Sequence, residues 1–277
     1  MSIKTLSWIL LAAITLGAVL LFNYWASYQL FSTLAYAGIV AALLGLANLT
    51  VPFRFLGVRK RAVGALIFAG GVALTLAALF WPASTIRVAQ PRTRLDAIMP
   101  EYQFFETHSA RIHARPEQVM QATRESTFRD MKSLGTLLKI RGAALRIRDT
   151  GESLQDKRVL DAFSGPGFLQ DGGEHEIVMF WAANVRAGGL AKLRSPQEFT
   201  DYRDQGAVKM AVDFNVEDAG GGWSALSTET RILATDLPTR RGMGTYWRMI
   251  VPGSGLLRRQ WLDGIRKRAE AMPNPQS

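Results

Sequence analysis

Residues 208–235 decide the fold of the carboxyl-terminal part of the chain, and they read VKMAVDFNVEDAGGGWSALSTETRILAT. Apolar and more polar side chains alternate over the first ten residues. The apolar set is Val208, Met210, Val212, Phe214 and Val216, and the other set is Lys209, Ala211, Asp213, Asn215 and Glu217. A period of two is typical of a β-strand with one dry face. The DAGGG turn at 218–222 and the return over 223–235 therefore predict an antiparallel hairpin.

Further strands and helices are predicted before this hairpin. A strand is expected over 102–113, where side chains alternate modestly from Glu106 on. Another is expected over 175–185, where β-branched and aromatic residues gather. A proline in the first turn predicts a short helix over 116–125. The sequence TFRD, which has the form of a capping box, opens a second predicted helix over about 127–140. Two stretches carry no pattern that places them: 141–165 and 186–205.

The chain ends in a predicted helix. Pro238 suits its first turn, and PGSG at 252–255 is expected to kink or break it. Beyond that point, apolar residues keep helical spacing while the opposite face is charged. The apolar stripe contains Leu256, Leu257, Trp261, Ile265 and Ala269, and the charged face contains Arg258, Arg259, Asp263, Arg266, Lys267 and Glu270.

Three apolar runs fill the first 82 residues, at about 6–25, 30–50 and 62–81. Each run is about 20 residues long and matches a hydrocarbon core ~30 Å thick. We therefore expect three transmembrane helices and a multi-pass protein of the cell membrane, with the lipid bilayer as a partner. Two alternatives stay open: a buried helical hairpin outside a membrane, and a signal peptide cut near Ala26 in place of the first span.

Basic residues predict the orientation in the membrane. The loop between the second and third runs contains Arg54, Arg59, Lys60 and Arg61, and the loop between the first and second contains no basic residue. Because positive loops stay in the cytoplasm, the amino terminus is expected inside and the carboxyl-terminal domain outside. The three arginines after the third run, Arg87, Arg92 and Arg94, argue weakly the other way.

Charge and small residues limit the classes of function. Residues 1–95 contain eight basic and no acidic residues, whereas residues 96–277 contain 25 basic and 23 acidic residues, so no uniform nucleic-acid-binding face is expected. The absence of ionisable residues from the three runs indicates an anchor rather than an ion pathway. Small residues in the second and third runs allow close helix contact and a homo-oligomer. They are Gly38, Ala42, Gly45, Gly64, Gly70 and Gly71.

No catalytic or metal motif is present in the sequence. The chain has no cysteine, and its histidines lack metal-ligand spacing, so neither a metal nor a cofactor is expected. Glu229 and Arg231 share one strand face, and so do Asp213 and Lys209. The simpler interpretation is a set of cross-strand ion pairs on a solvated face. The alternative is a charged cavity in which Glu229 acts as an acid or base.

Three stretches carry a resemblance to a known family: ETHSARIHARPEQV at 106–119, LSTETRI at 226–232, and YWR at 246–248 through GLLRR at 255–259. With the order strand, two helices, several antiparallel strands and long terminal helix, residues 101–272 resemble the START-like (SRPBCC, polyketide cyclase-like) superfamily. Two of these stretches are similar to an uncharacterised subfamily of bacterial membrane-anchored members. The resemblance implies an α+β helix-grip fold, in which an antiparallel sheet wraps a terminal helix around a hydrophobic cavity. That cavity binds lipids, sterols or polyketides in the superfamily, and some members catalyse cyclisation or dehydration there.

The expected organisation is therefore three transmembrane helices within 1–82, a linker at 83–100, a START-like domain at 101–272 and a tail at 273–277. The expected function is a membrane-anchored binding domain that presents or senses a lipid or another hydrophobic small molecule. A cyclase- or hydrolase-type enzyme and a purely structural membrane protein are the alternatives. No catalytic residue is assigned. The predicted cavity residues are Val212, Phe214, Thr228, Thr230, Trp247, Leu257 and Trp261.

Overall fold

The computed structural model describes residues 29–50, 60–145 and 156–273, with the backbone alone over 141–145. The first predicted span, at 6–25, lies outside the described residues. The chain divides into two compact units. The helical unit comprises Met1–Pro82 and Gly244–Pro252, and the sheet unit comprises Ala83–Met243 and Gly253–Ser277.

Two helices form the described core of the helical unit: α1 (Leu30–Thr50) and α2 (Arg61–Phe80). Both are long and apolar enough to cross a membrane, in agreement with the second and third predicted spans. Their outer faces expose large apolar side chains, and Leu66 is 73% exposed. A helix that buries its apolar side chains in protein would not leave them open in this way.

Glycine sets the distance between α1 and α2. A Cβ added at Gly71 would lie 2.4 Å from the backbone nitrogen of Ala42, and one added at Gly45 would lie 2.3 Å from that of Phe68. The two backbones are therefore in direct contact, as small residues permit in membrane helices. With the exception of Gly70, the small residues expected to allow a homo-oligomer thus serve the contact within one chain.

An arginine of the terminal helix caps α2 inside the helical unit. The buried Arg248 guanidinium donates to the carbonyls of Leu79 at 2.5 Å and Trp81 at 2.8 Å. It also lies 5.3 Å from the ring of Phe31, which stacks on Trp81. The last carbonyls of a helix have no partner within the helix, so this arginine supplies one.

The sheet unit contains a five-stranded antiparallel sheet in the order β3-β7-β6-β5-β4. Its strands are β3 (Phe104–Ile112), β4 (Phe168–Gly172), β5 (Glu176–Asn184), β6 (Ala207–Gly220) and β7 (Trp223–Ala234). The predicted hairpin is confirmed as β6 and β7. Gly221 and Gly222 turn the chain between them with φ of 63° and 78°, a region that favours glycine. Two short strands, β1 (Ile86–Arg87) and β2 (Glu101–Tyr102), pair separately.

Short helices connect these strands. They are α3 (Arg94–Ile98), α4 (Pro116–Glu125), α5 (Leu134–Leu145), α6 (Val159–Ala162) and α7 (Pro196–Asp201). The helix predicted over 116–125 is confirmed as α4. The next prediction is wrong at its start, because Thr127 opens only a 3-10 turn, Phe128–Asp130, and α5 begins at Leu134. The stretch predicted as a linker, 83–100, contains β1 and α3.

The terminal helix, α8 (Leu237–Glu270), runs for 34 residues and begins at the capping side chain of Asp236. Of the predicted kink or break at 252–255, the break is wrong, since the helix continues through Pro252. A proline removes only one helical hydrogen bond, and a helix held on both sides of it tolerates that loss. One of the boundaries between the two units follows this proline, and another lies between Met243 and Gly244.

One face of the sheet packs against the carboxyl-terminal part of α8. Trp261 is buried there, with its ring 4.5 Å from that of Phe214 and its indole N–H donating to Ser126 Oγ at 2.8 Å. Ile265 and Ala269 continue the buried stripe. The periodicity of the helix thus identified Trp261, Ile265 and Ala269 correctly as buried.

The second face of the sheet is buried across β5, β6 and part of β7, contrary to the expectation of a solvated face, whereas β3 leaves it exposed. Leu95 of α3 and Phe199 of α7 join a core with Phe180 and Ala211. Lys209 is consequently only 2% exposed. The strand alternation predicted two faces of different polarity, but two remote short helices cover the more polar one.

Gly71→Ala is expected to force the two membrane helices apart, because the new Cβ would meet the backbone of Ala42. Overpacking of this kind costs about 1–3 kcal/mol. Gly70→Ala is the matched control, since a Cβ at the neighbouring residue meets nothing within 4 Å. Thermal aggregation of the full chain in a mild detergent should show a lower midpoint for Gly71→Ala only. Equal midpoints for the two variants would contradict the close contact.

Candidate functional site

Six of the seven predicted cavity residues meet in the sheet unit. Val212, Phe214, Thr228, Thr230 and Trp261 are buried, and Leu257 is partly buried against the same core. Trp247 is buried too, but it belongs to the helical unit. The space between the sheet and α8 is thus where these predicted residues collect.

The two predicted threonines have different roles. Thr228 donates its hydroxyl to the carbonyl of Asp213 at 2.7 Å, which ties β7 to β6. Thr230 instead accepts from the guanidinium of Arg258 at 3.1 Å. Only Thr230 therefore belongs to a group of side chains that face each other across the sheet and helix.

That group, which we call the polar cluster, consists of Glu106, His108, Thr230, Ser254 and Arg258. Glu106 and His108 are neighbours on one face of β3, and Glu106 pairs with Thr230 across β3 and β7. Ser254 donates its hydroxyl to Glu106 Oε1. Arg258 Nε lies 3.8 Å from the same oxygen, and His108 Nε2 lies 3.7 Å from Oε2.

The polar cluster is deeply buried and incompletely hydrogen-bonded. The Glu106 side chain is 0% exposed and that of Arg258 is 14% exposed. Glu106 Oε2 and Arg258 Nη1 are buried and make no hydrogen bond in the described part of the chain. Burial lowers the pKa of the Arg258 guanidinium, and the Glu106 carboxylate opposes that shift. Buried polar atoms without a partner are uncommon in native proteins, and a bound group is one explanation.

Sequence reasoning missed Glu106, Ser254 and Arg258, although it placed Arg258 on the terminal helix. It assigned Arg258 to the solvated face, and the structure turns this side chain inward. Ser254, Arg258 and Trp261 follow the spacing i, i+4 and i+7, which puts them on one helical face. That spacing was available in the sequence as a signal.

The cluster does not have the geometry of a serine nucleophile. The Ser254 hydroxyl donates to the carboxylate of Glu106 and not to an imidazole. In a hydrolytic triad the histidine must take the serine proton. The arrangement instead suits a site that holds a polar group by hydrogen bonds in an apolar interior.

The second face of the sheet carries a different charged network. Arg231 donates to Asp96 Oδ1 and to Glu229 Oε1, both at 2.7 Å, and to the carbonyl of Met99 at 3.1 Å. Burial opposes its charge, but Glu229 and Asp96 together hold the pKa of Arg231 above its usual value. Since every terminal nitrogen has an acceptor, this network is a structural one. Glu229, the predicted acid or base, is therefore engaged in an ion pair.

Asp213 lies beside Glu229 on this second face. It is 5% exposed, and its carboxylate accepts from the backbone N–H of Glu229 at 2.5 Å. Burial raises the pKa of Asp213 to about 7, and the negative charge of Glu229 adds to the rise. The carboxyl group is consequently protonated in part at neutral pH.

An open groove of about 960 Å³ lies elsewhere in the sheet unit. Its walls include Arg124 and Arg158 together with Glu117, Asp161 and Glu174. Such mixed charge does not suit an apolar molecule. Within residues 29–50, 60–145 and 156–273, no three histidine or acidic side chains are grouped to hold a metal ion.

Comparison with known proteins identifies no relative: no protein family, curated protein or solved structure matches this chain.

Asp213→Asn is expected to change how stability depends on pH. The folded-state pKa lies above the unfolded value of 3.8, so the folded protein binds more protons between about pH 4 and 7. The contribution of Asp213 to stability is thus present below pH 4 and is lost as the pH rises through 7, by about 1–4 kcal/mol. Asparagine keeps the hydrogen-bond acceptor without the titration.

Thermal unfolding of the full chain between pH 4.5 and 7 measures how Asp213 changes the pH dependence of stability. Wild type should lose stability relative to Asp213→Asn as the pH rises. Glu217→Gln, at an exposed position of the same strand, is the control and should follow wild type. Parallel curves for wild type and Asp213→Asn would contradict the buried titration.

Proposed function

We propose that this protein is a membrane-anchored binding domain for a lipid or another apolar small molecule, which it presents or senses at the membrane. The observation that carries the proposal is the polar cluster. A buried carboxylate and a buried guanidinium each keep one atom without a hydrogen bond in an otherwise apolar interface.

The chemistry of these two atoms indicates the polar end of the ligand. Glu106 Oε2 accepts hydrogen bonds, and Arg258 Nη1 donates them. A ligand group that both donates and accepts, such as a hydroxyl or an amide, would satisfy both atoms. Leaving them unsatisfied costs free energy, about 1–3 kcal/mol for a neutral group and more for a charged one. A long apolar molecule with a hydroxyl or amide end therefore fits best.

The START-like resemblance also supports the space between the sheet and α8 as the ligand site. The sheet unit has a five-stranded antiparallel sheet and a long terminal helix, the two elements between which that superfamily has its cavity. Phe214, Thr230, Leu257 and Trp261 would line the ligand. The superfamily assignment rests on the sequence stretches and this architecture together.

The membrane part of the proposal rests on α1 and α2. Their length, their apolar composition and their exposed outer faces support a hairpin that crosses the bilayer. Self-association would have to use surface outside the α1–α2 contact. Among the predicted small residues, Gly70 has open space around its Cβ position. We therefore propose that the homo-oligomer forms through contacts at Gly70 of this hairpin.

The orientation proposed is extracytoplasmic for the sheet unit, because the basic residues of 52–61 hold that loop in the cytoplasm. A reporter that is active only in the cytoplasm, fused after Ser277, should therefore be silent. The same reporter fused after Lys60 in a truncated chain is the control and should be active. Strong activity of the Ser277 fusion would overturn the orientation without touching the binding site.

The binding proposal is tested with the full chain in lipid nanodiscs and a photoactivatable long-chain alcohol. Cross-linking should be saturable, should be displaced by excess plain alcohol, and should map near Phe214 and Trp261. Glu106→Gln keeps the shape and removes the charge, and it should weaken binding about tenfold or more, as loss of a hydrogen bond to a charged group does. Ser109→Ala, at an exposed position of the same strand, should bind as wild type does.

Two other outcomes favour the alternatives. Cross-links confined to α1 and α2 would mean that the interior is closed, and a structural role would replace the binding role. Chemical conversion of the bound molecule, seen by mass spectrometry, would favour an enzyme. Glu106 and His108, with their side chains 3.7 Å apart in an apolar interior, would then be the acid–base pair.

A further inference from the structure

A second pocket, separate from the polar cluster, lies on the other face of the sheet. It has a volume of about 210 Å³. Apolar walls come from Val88, Met99, Pro100 and Leu233, and Lys209 reaches it from β6. Arg87, Glu101, Thr200 and Arg203 complete the lining. The pocket therefore combines an apolar interior with an amine.

Lys209 is held in an unusual environment for a lysine. Lys209 is only 2% exposed, and its Nζ donates to the carbonyl of Thr200 at 2.7 Å. Nζ also lies 4.7 Å from the centre of the Phe199 ring. Among the described residues it forms no ion pair. A buried ammonium without a carboxylate partner is costly, so the structure favours the neutral amine.

The charged groups around Lys209 add to this effect. Burial is the largest cause that lowers the pKa of Lys209 to about 7; the positive charge of Arg203 acts in the same direction, and the charges of Asp201 and Glu101 oppose it. Glu101 is itself paired with Arg87 at 3.0 Å. Two arginines thus stand in the lining, but Arg87 and Glu101 neutralise each other. Arg203 is therefore the positive charge of the lining that would attract an anion.

We propose that Lys209 is the nucleophile of a carbonyl site, where its amine forms an imine with a small aldehyde or ketone that carries a carboxylate. The lone pair of Nζ attacks the carbonyl carbon, so that a C–N bond forms, the π bond of the C=O group breaks, and one proton passes from nitrogen to oxygen. The resulting carbinolamine loses its hydroxyl together with the second nitrogen proton as water and becomes the imine. Arg203 attracts the carboxylate, and the Thr200 carbonyl orients the amine before attack.

The test uses the full chain in a mild detergent with glyoxylate as the probe and cyanoborohydride to trap the imine. Peptide mass spectrometry follows the labelling of each lysine with time. At pH 7.5, Lys209 should label at least about tenfold faster than the exposed Lys192, because an ordinary lysine is almost wholly protonated there. The Lys209 rate should level off above about pH 8, whereas the Lys192 rate should keep rising.

Two comparisons examine the anionic part of the proposal. The labelling rate of Lys209 divided by that of Lys192 in the same sample should be at least about threefold higher with glyoxylate than with propionaldehyde. The reason is that only glyoxylate carries a carboxylate charge. Arg203→Gln should reduce that preference and slow the labelling at pH 7.5. Equal relative rates for the two aldehydes would overturn the carboxylate requirement.

The labelling rates of the wild-type protein alone can contradict the proposed carbonyl site. Labelling of Lys209 that is no faster than that of Lys192, or that appears only after the protein is unfolded, would show a merely structural lysine. This readout does not involve the polar cluster. Its failure is therefore independent of the ligand-binding proposal.

Discussion

The contact between Trp261 and Phe214 is the interaction on which the candidate site depends. Their ring centroids are 4.5 Å apart, and the indole N–H is satisfied by Ser126. A buried aromatic residue of this size contributes about 3–5 kcal/mol to stability. Ser254 and Arg258 precede Trp261 on the same helical face. Packing Trp261 against the sheet therefore also brings a hydroxyl and a guanidinium against the carboxylate of β3.

The two faces of the sheet hold buried charge in different ways. On the face away from α8, Arg231 reaches Asp96, Glu229 and a backbone carbonyl, so its charge is fully compensated. On the face toward α8, Glu106 and Arg258 approach each other at 3.8 Å, yet each keeps an atom without a hydrogen bond. A complete network stabilises and positions chain segments, whereas an incomplete one keeps hydrogen-bonding capacity for a ligand.

Burial also moves two ionisable groups of β6 toward neutrality. Asp213 and Lys209 lie four residues apart on the same face of the strand. The pKa of each is shifted to about 7, upward for the acid and downward for the amine, with burial as the largest cause. Burial disfavours the charged form of either group. Two short helices that cover this face, α3 and α7, thus determine both the electrostatics of β6 and the character of the Lys209 pocket.

The sequence by itself determined the local elements and the faces they bury. Alternation over 208–216 predicted β6, and the stripe through Trp261 predicted the packed side of α8, because periodicity depends only on near neighbours in the chain. Two apolar runs likewise predicted α1 and α2. Only the tertiary structure decided what covers each face. The helices that bury Lys209 are remote in sequence, and the inward turn of Arg258 depends on Glu106 lying opposite it. Periodicity states which residues share a face, but a contact between distant segments follows from how the elements pack.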